Sequence, residues 1–373
     1  MLKHRVAKNK KLIRIVIADD SVVTRELLRR VFDAQPDMIV VGMAATGDET
    51  VRLVQRLRPD LVTMDVAMPG IDGVHATRRI MASLPTPIAI VTARPMEAGH
   101  ETMFRAMAAG AVDVIANPGF EVFEADGEKR EHFVSQLRNV ANVGVGGLGG
   151  RAGYESKHAE ARLTAPPSAQ GPSSSTSASL IAIGASTGGP PCIREILGML
   201  DPVHSPPVII TQHLSPQFIP GFAEWLASTI SLPVRIARSG ALLVRGQVFV
   251  APGDQHLEVI DDGAGGVVST SPVHHQRPSV DVMFRSVAKA YGSRGVGILL
   301  TGMGSDGAEG LRVMRDSGSL TIAQDEASSL VYGMPAAACR LDAVQLSVSP
   351  FHIGRLLTRI RFAGADPRVD RKR

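Results

Sequence analysis

Short apolar runs alternate with amphipathic stretches twice along this chain, in two blocks separated by a polar interval, and that rhythm limits the possible folds. In the first block the runs read LIRIVIA (12–18), MIVVGMA (38–44), LVTMD (61–65), IAIVTA (88–93) and VDVIA (112–116). The stretches between them have helical spacing. Val23, Leu27, Leu28 and Val31 recur as one stripe behind Ser21, which predicts a capped helix. Five strands alternating with helices imply a parallel sheet covered on both faces. The rhythm resumes at Ser179 with SLIAIGA, PVIITQH, GQVFVAPG, GVGILLTG and LTIAQD, and helices are expected over 191–200, 217–229, 279–291, 307–317 and 327–338. The predicted fold class is α/β: two doubly wound parallel-sheet domains, 12–138 and 179–365, joined by a flexible Gly/Ser/Pro-rich linker over 139–178.

Several function classes are disfavoured at this level. The 373 residues suffice for two domains with their own cores, and 44% hydrophobic with 20% charged residues describes a soluble globular protein. No apolar run approaches the ~18 residues of a membrane span, so no membrane insertion is expected. The basic start runs into Asp19 and Asp20 after only LIRIVIA, which argues against a secretory leader and for a cytoplasmic protein. Cys192 and Cys339 fall inside apparent helices and are expected to be reduced packing residues. The charge does not form a nucleic-acid footprint. Residues 1–11 carry +5 and 367–373 carry +3 of a total of +4, so the body between the tails is at −4. Gly144, Gly146 and Gly149 match G-x-G-x-x-G, but a helix-like segment precedes them where a dinucleotide site needs a strand.

In a parallel sheet all strand carboxyl ends share one edge, where ligands bind. In the first block that edge carries Asp19 and Asp20, Asp65, Thr92 and Asn117. Three converging carboxylates repel one another unless a cation neutralises them, and an oxygen-only site suits Mg²⁺ with several retained waters. A carboxylate beside Mg²⁺ can also attack a phosphoryl group. The competing explanation is that these acids cap the following helices.

ADDS (18–21), DVAMPGIDG (65–73) and Thr92 resemble the flavodoxin-like receiver domain of two-component response regulators over about residues 12–130. The resemblance implies that Asp65 accepts phosphate from a histidine kinase, that Asp19, Asp20 and Asp65 hold Mg²⁺ with the Ala67 carbonyl, and that Thr92 senses the phosphoryl group. Two positions depart from that family: its strand-five lysine is Asn117, and its aromatic switch position is Val114. Asparagine can donate a hydrogen bond to phosphate but brings no charge.

In the second block, Gly184-Ala185-Ser186-Thr187-Gly188 fits G-x-S-x-G, the turn that exposes a nucleophilic serine at a strand end. A serine capping the next helix would look the same in sequence. His213, ending PVIIT at the same edge, is better placed as a base than His256 or the pair His274-His275. Asp306, in a glycine-rich loop after GVGILLTG, is the candidate orienting acid, with a helix cap again the competing explanation. The order Ser, His, Asp differs from that of α/β-hydrolases.

The stretches IGASTGGP, ITQH, APGDQH, RPSVDVMF, LLTGMGSDGA and TIAQDEASSLVYGMP resemble the catalytic domain of the chemotaxis protein-glutamate methylesterases, response regulators with a receiver in front. By that resemblance Ser186 is the nucleophile, His213 the general base and Asp306 the orienting acid. The resemblance also implies that the Met303 backbone N–H helps to stabilise the oxyanion and that the esterase reaction uses no cofactor. The substrates it implies are methylated glutamates, and glutamines, of methyl-accepting chemoreceptors. The receiver is expected to cover Ser186, with phosphorylation of Asp65 biasing a two-state equilibrium weakened by Asn117 and Val114. A DNA-binding regulator would need a helix-turn-helix after the linker. A non-catalytic scaffold would not need Ser186, His213 and Asp306 together.

Overall fold

The computed structural model describes residues 12–92, 100–117, 119, 127–143, 145, 178–261, 264–268, 270–273 and 276–359. The expectations for both basic tails, for Gly144, Gly146 and Gly149, for most of the linker and for His274-His275 lie outside these residues. The chain divides into two compact units, Met1–Arg94 with Ala109–Arg151, and Pro95–Ala108 with Ala152–Arg373.

In the first unit the chain runs β1 (Ile13–Ala18), α1 (Val22–Asp33), β2 (Met38–Ala44), α2 (Gly47–Leu57), β3 (Leu61–Met64), α3 (Gly73–Ser83) and β4 (Ile88–Thr92). The next helix in sequence, α4 (His100–Ala108), is grouped with the second unit. The first unit continues with β5 (Asp113–Ala116) and α5 (Gly127–Ala141). The strands pair in parallel in the order β2-β1-β3-β4-β5, the flavodoxin-like order. β3 and β4 are buried throughout, as strands covered on both faces must be. Ser21 caps α1 by accepting the Thr24 N–H, as its position before the apolar stripe predicts. The buried stripe is Leu28, Val31 and Phe32, whereas Val23 is 73% exposed. Val23 sits in the first turn, which rises from the sheet edge before the helix reaches over the sheet.

The second unit has β6 (Leu180–Ala185), α6 (Gly189–Leu197), β7 (Val208–Gln212), α7 (Ile219–Thr229), β8 (Val234–Ile236), β9 (Ala241–Leu242) and β10 (Val248–Val250). It continues with β11 (His256–Asp261), β12 (Ala264–Val268), α8 (Val280–Tyr291), β13 (Gly295–Leu299), α9 (Ala308–Asp316), β14 (Leu320–Gln324), α10 (Met334–Arg340), β15 (Leu346–Val348) and α11 (Pro350–Leu357). Its main sheet is parallel throughout, in the order β15-β14-β13-β6-β7-β10-β8. From β6 the chain builds outward through β7 and then returns to β13 on the other side. The crevice of a doubly wound sheet therefore opens at the carboxyl end of β6. α8 covers the sheet with Val280, Met283, Phe284, Val287 and Tyr291, a helical i, i+3, i+4 stripe.

One feature goes beyond the expectations, and two expectations are corrected. A small antiparallel sheet, β11-β12-β9, stands beside the parallel one. The helix expected over 327–338 begins only at Met334, with Pro335 in its first turn. Asp325 holds the preceding residues in a turn by accepting the Ser328 N–H and hydroxyl, and Tyr332 bridges to Gly302. Cys339 is exposed, so only Cys192 is a packing residue; both are free thiols.

Candidate active site and phosphoacceptor site

β6 and β7 are adjacent and parallel, with Ala185 opposite Gln212, so the next residues, Ser186 and His213, emerge side by side at the carboxyl edge. The His213 N–H donates to the Ala185 carbonyl at 3.0 Å, which extends the ladder by one rung. On the other side, the Ser186 N–H donates to the Thr301 carbonyl beyond β13, also at 3.0 Å. Ser186 is half-buried and does not cap α6. The cap is Gly188, at φ 78°, a left-handed conformation in which glycine carries no Cβ penalty. The turn is also close-packed: a Cβ on Gly302 would lie 2.6 Å from Ser186 Cβ.

Asp306 does not cap its own helix; the cap of α9 is Gly307, which has no side-chain bond. Asp306 instead faces the N-terminus of α8, where three donors converge on its carboxylate. The Ser279 hydroxyl donates to Oδ1 at 2.7 Å, the Asp281 N–H to Oδ1 at 3.1 Å, and the Val280 N–H to Oδ2 at 2.7 Å. A fourth bond joins His213 Nε2 to Oδ2 at 2.8 Å. Both side chains are nearly sequestered, His213 at 7% and Asp306 at 3% exposure. Burial pushes the Asp306 carboxyl up, but the His213 bond and charge, with the donors from Val280 and Ser279, outweigh it. The net position is below the usual carboxylate range. A helix N-terminus with free N–H groups is a natural anion site, so this acid is held ionised although buried.

The other sequence candidates are engaged elsewhere. His256 is fully buried, accepts the Ser279 N–H at Nδ1 (3.0 Å), and lies by Nε2 3.1 Å from the Ser271 carbonyl. Asp281 accepts the Gly310 N–H, and Asp254 pairs with Arg277. Met303 is 43% exposed and follows Gly302, the glycine packed against Ser186.

Sequence reasoning gave no role to Ser279, to the Val280 and Asp281 amides, to Thr301 or to Gln212. A serine followed two residues later by an acid just before an apolar stripe signals a helix N-terminus. Nothing in the sequence says that the terminus faces Asp306.

At the first unit's edge, Asp19 and Asp65 are held by the backbone. The Asp19 N–H donates to the Ala44 carbonyl (3.1 Å) and the Asp65 N–H to the Ala18 carbonyl (2.7 Å). The Ser21 N–H donates to Asp19 Oδ1 at 2.8 Å. Burial pushes Asp19 up to about 7, against the Ser21 bond and Arg25 but with the charges of Asp65 and Asp20. Asp65 is pushed up to about 6, first by burial and also by Asp20. Bonds from the Val66 amide, the Thr92 hydroxyl and the Ala67 amide hold it lower than burial alone would.

Asp20 is exposed, and among the described residues no group of three or more His, Cys, Asp or Glu is placed to hold a metal ion. Mg²⁺ keeps several waters, so the protein need supply only part of its shell. Asp65 and Asp20 hinder the ionisation of Asp19, and Asp20 hinders that of Asp65, so a cation beside these carboxyls would relieve all three. Asn117 accepts the Gly119 N–H at Oδ1 (3.1 Å), leaving its NH₂ as the donor end, and Val114 is buried in β5.

A family model described as CheB methylesterase matches residues 181–357, and one described as response regulator receiver domain matches 15–121. The chain is similar to protein-glutamate methylesterase/protein-glutamine glutaminase 2 of Anaeromyxobacter dehalogenans (strain 2CP-C), 41% identical over 92% of this chain and 96% of that protein. It is 39% identical to protein-glutamate methylesterase/protein-glutamine glutaminase 1 of Syntrophus aciditrophicus (strain SB), over 94% of this chain and 98% of that protein. Among solved structures, the CheB methylesterase catalytic domain of Thermotoga maritima is 30% identical, covers 49% of this chain and 100% of that chain, and has a TM-score of 0.47.

Proposed function

This chain belongs to the protein-glutamate methylesterase/protein-glutamine glutaminase family with a receiver domain in front, and we propose that Ser186, His213 and Asp306 carry its hydrolysis. The receiver is taken as 12–138, the linker as 139–178 and the esterase as 179–365. The observation that carries the assignment is the Asp306 carboxylate, bonded at once to His213 and to the α8 N-terminus while Ser186 and His213 leave neighbouring strands together.

Ser186 Oγ attacks the ester carbonyl of a methylated glutamate on a methyl-accepting chemoreceptor. Because Nε2 of His213 is committed to Asp306, Nδ1 is the atom that takes the serine proton. The resulting imidazolium lies against an ionised carboxylate, and Asp306 keeps its negative charge throughout. The Met303 backbone N–H stabilises the oxyanion; those of Thr301 and Gly302 are already given to Gln324 and to the Val331 carbonyl. Collapse expels methanol, to which His213 returns the proton. Water, deprotonated by the same imidazole, then cleaves the acyl-enzyme to glutamate and free Ser186. With glutamine as substrate the leaving group is ammonia, and neither reaction calls on a cofactor.

In the receiver, Asp65 accepts a phosphoryl group from a histidine kinase and Thr92 hydrogen-bonds it. Asp19, Asp20, Asp65 and the Ala67 carbonyl would hold Mg²⁺, which neutralises charge on the phosphoryl oxygens. The proposed place of action is the cytoplasm. No helix among the described residues is long and apolar enough to cross a membrane. Labelling with a fluorophosphonate tests the hydrolase reading: one adduct on Ser186, mapped by mass spectrometry, is expected. An adduct confined to other serines would overturn the assignment.

A further inference from the structure

We propose that Gln212 is a positioning residue for the hydrolysis, its carboxamide tying the carbonyl of the nucleophile to that of the base across the two strands. The inference rests on the assignment of Ser186 and His213 above. Gln212 is the last residue of β7, paired with Ala185, and is 1% exposed. Its Nε2 donates to the Ser186 carbonyl at 2.9 Å and to the His213 carbonyl at 3.1 Å. The N–H groups of these two residues are fixed by the backbone, to Thr301 and Ala185. Their carbonyls lie past the last rung of the ladder. The Ser186 carbonyl also accepts the Gly189 N–H at 2.8 Å, but that bond closes its own turn and does not reach β7. Gln212 makes the connection between the strands.

The amide's orientation is set by the same contacts, since turning it over would press Oε1 against two carbonyl oxygens. Held this way, Oε1 is buried and finds no donor among the described residues. It rests against Gly189, where a Cβ would come within 2.2 Å of it, so the glycine leaves room for the glutamine. Buried polar atoms in that condition are rare. The strand-end glutamine of β14 shows the satisfied alternative: Gln324 accepts the Thr301 N–H at 2.9 Å and donates to the Ser328 carbonyl at 2.9 Å. Gln212 serves what its nitrogen holds. Without that bridge both carbonyls can rotate, and the Ser186 side chain drifts from the imidazole.

The test uses the full chain carrying Gln212→Met, which keeps the length of the side chain and removes both donors. Fluorophosphonate titration counts the reactive Ser186 sites, and the labelling rate constant and kcat are then expressed per reactive site. Both should fall together by about tenfold or more, with KM within about twofold of native, as loss of alignment rather than of binding requires. A rate per reactive site equal to native, with only the reactive fraction reduced, would overturn the proposal in favour of a purely structural role. Should Gln212→Met yield no reactive sites, the same quantity is read from Gln212→Glu, which when ionised donates to neither carbonyl. Native protein that does not label on Ser186 would overturn the nucleophile assignment and this inference with it; native labelling with an unchanged variant rate overturns the inference alone.

Discussion

The two parallel sheets of this protein put acids at the same topological place and treat them in opposite ways. Asp306 in the second unit is nearly sequestered, yet four bonds hold its carboxyl below the usual range. In the first unit, burial and neighbouring charge push Asp19 up to about 7 and Asp65 to about 6. The difference is one of partners, since burial raises all three. Asp306 has an imidazole and a helix N-terminus, so its charge is complete within the protein. The receiver acids have donors too, Ser21 for Asp19 and Val66, Thr92 and Ala67 for Asp65, but burial and neighbouring charge outweigh them, and both acids stay incomplete until a cation or a phosphoryl group arrives. One edge is finished for catalysis, and the other is poised to be modified.

The largest effect should come from the finished edge. Ser186→Ala removes the attacking atom, and methanol release from methylated receptor should fall by on the order of 10⁶, with the thermal midpoint unchanged. Substantial turnover by a folded variant would break the assignment. Asp306→Asn should cost about 10⁴ in kcat, because a neutral amide no longer fixes the imidazole or balances its charge. Full activity in Asp306→Asn would mean that the hydrogen-bonded carboxylate is not used.

The unfinished edge should respond more modestly. Asp65 has Thr92 but no lysine, and Asn117 already spends its oxygen on Gly119. A phosphodonor with Mg²⁺ should therefore raise esterase activity by no more than about tenfold, equivalent to about 1.4 kcal/mol of population shift. Asn117→Lys should enlarge that ratio. An unchanged ratio would show that the missing charge does not limit coupling.

The smallest effect is on stability. Because Asp19 and Asp65 bind protons more tightly folded than unfolded, the metal-free receiver loses stability as pH rises from about 4 towards about 7. Mg²⁺ competes with those protons, so the gain in midpoint of the receiver transition should be larger at pH 8 than at pH 5. An equal gain at both would contradict the raised positions.

Much of this was legible in the sequence, for a physical reason. Ser186, His213, Asp306, Asp19 and Asp65 each follow an apolar run, and parallel topology brings the ends of such runs to one edge. What was not legible depends on backbone groups or on the third dimension. The amides of Val280 and Asp281 bind Asp306 as N–H groups, and any residue but proline supplies one. Gln212 reads as a polar interruption in PVIITQH until its nitrogen is seen between two carbonyls. The helix expected over 327–338 began late because Asp325 holds a turn stronger than the local helical tendency. Val23 fitted the helical period yet is 73% exposed, since periodicity does not tell where the sheet ends.

The contrast between the edges is tested most directly by titrating the carboxyls one by one. Full-length protein labelled with carboxyl-¹³C aspartate, assigned with Asp306→Asn and Asp65→Asn and kept free of metal, is followed by NMR from acid to neutral pH. Asp65 should titrate near pH 6, and Asp306 should stay ionised to below the ordinary carboxylate range. Asp306 titrating at or above Asp65 would contradict the account.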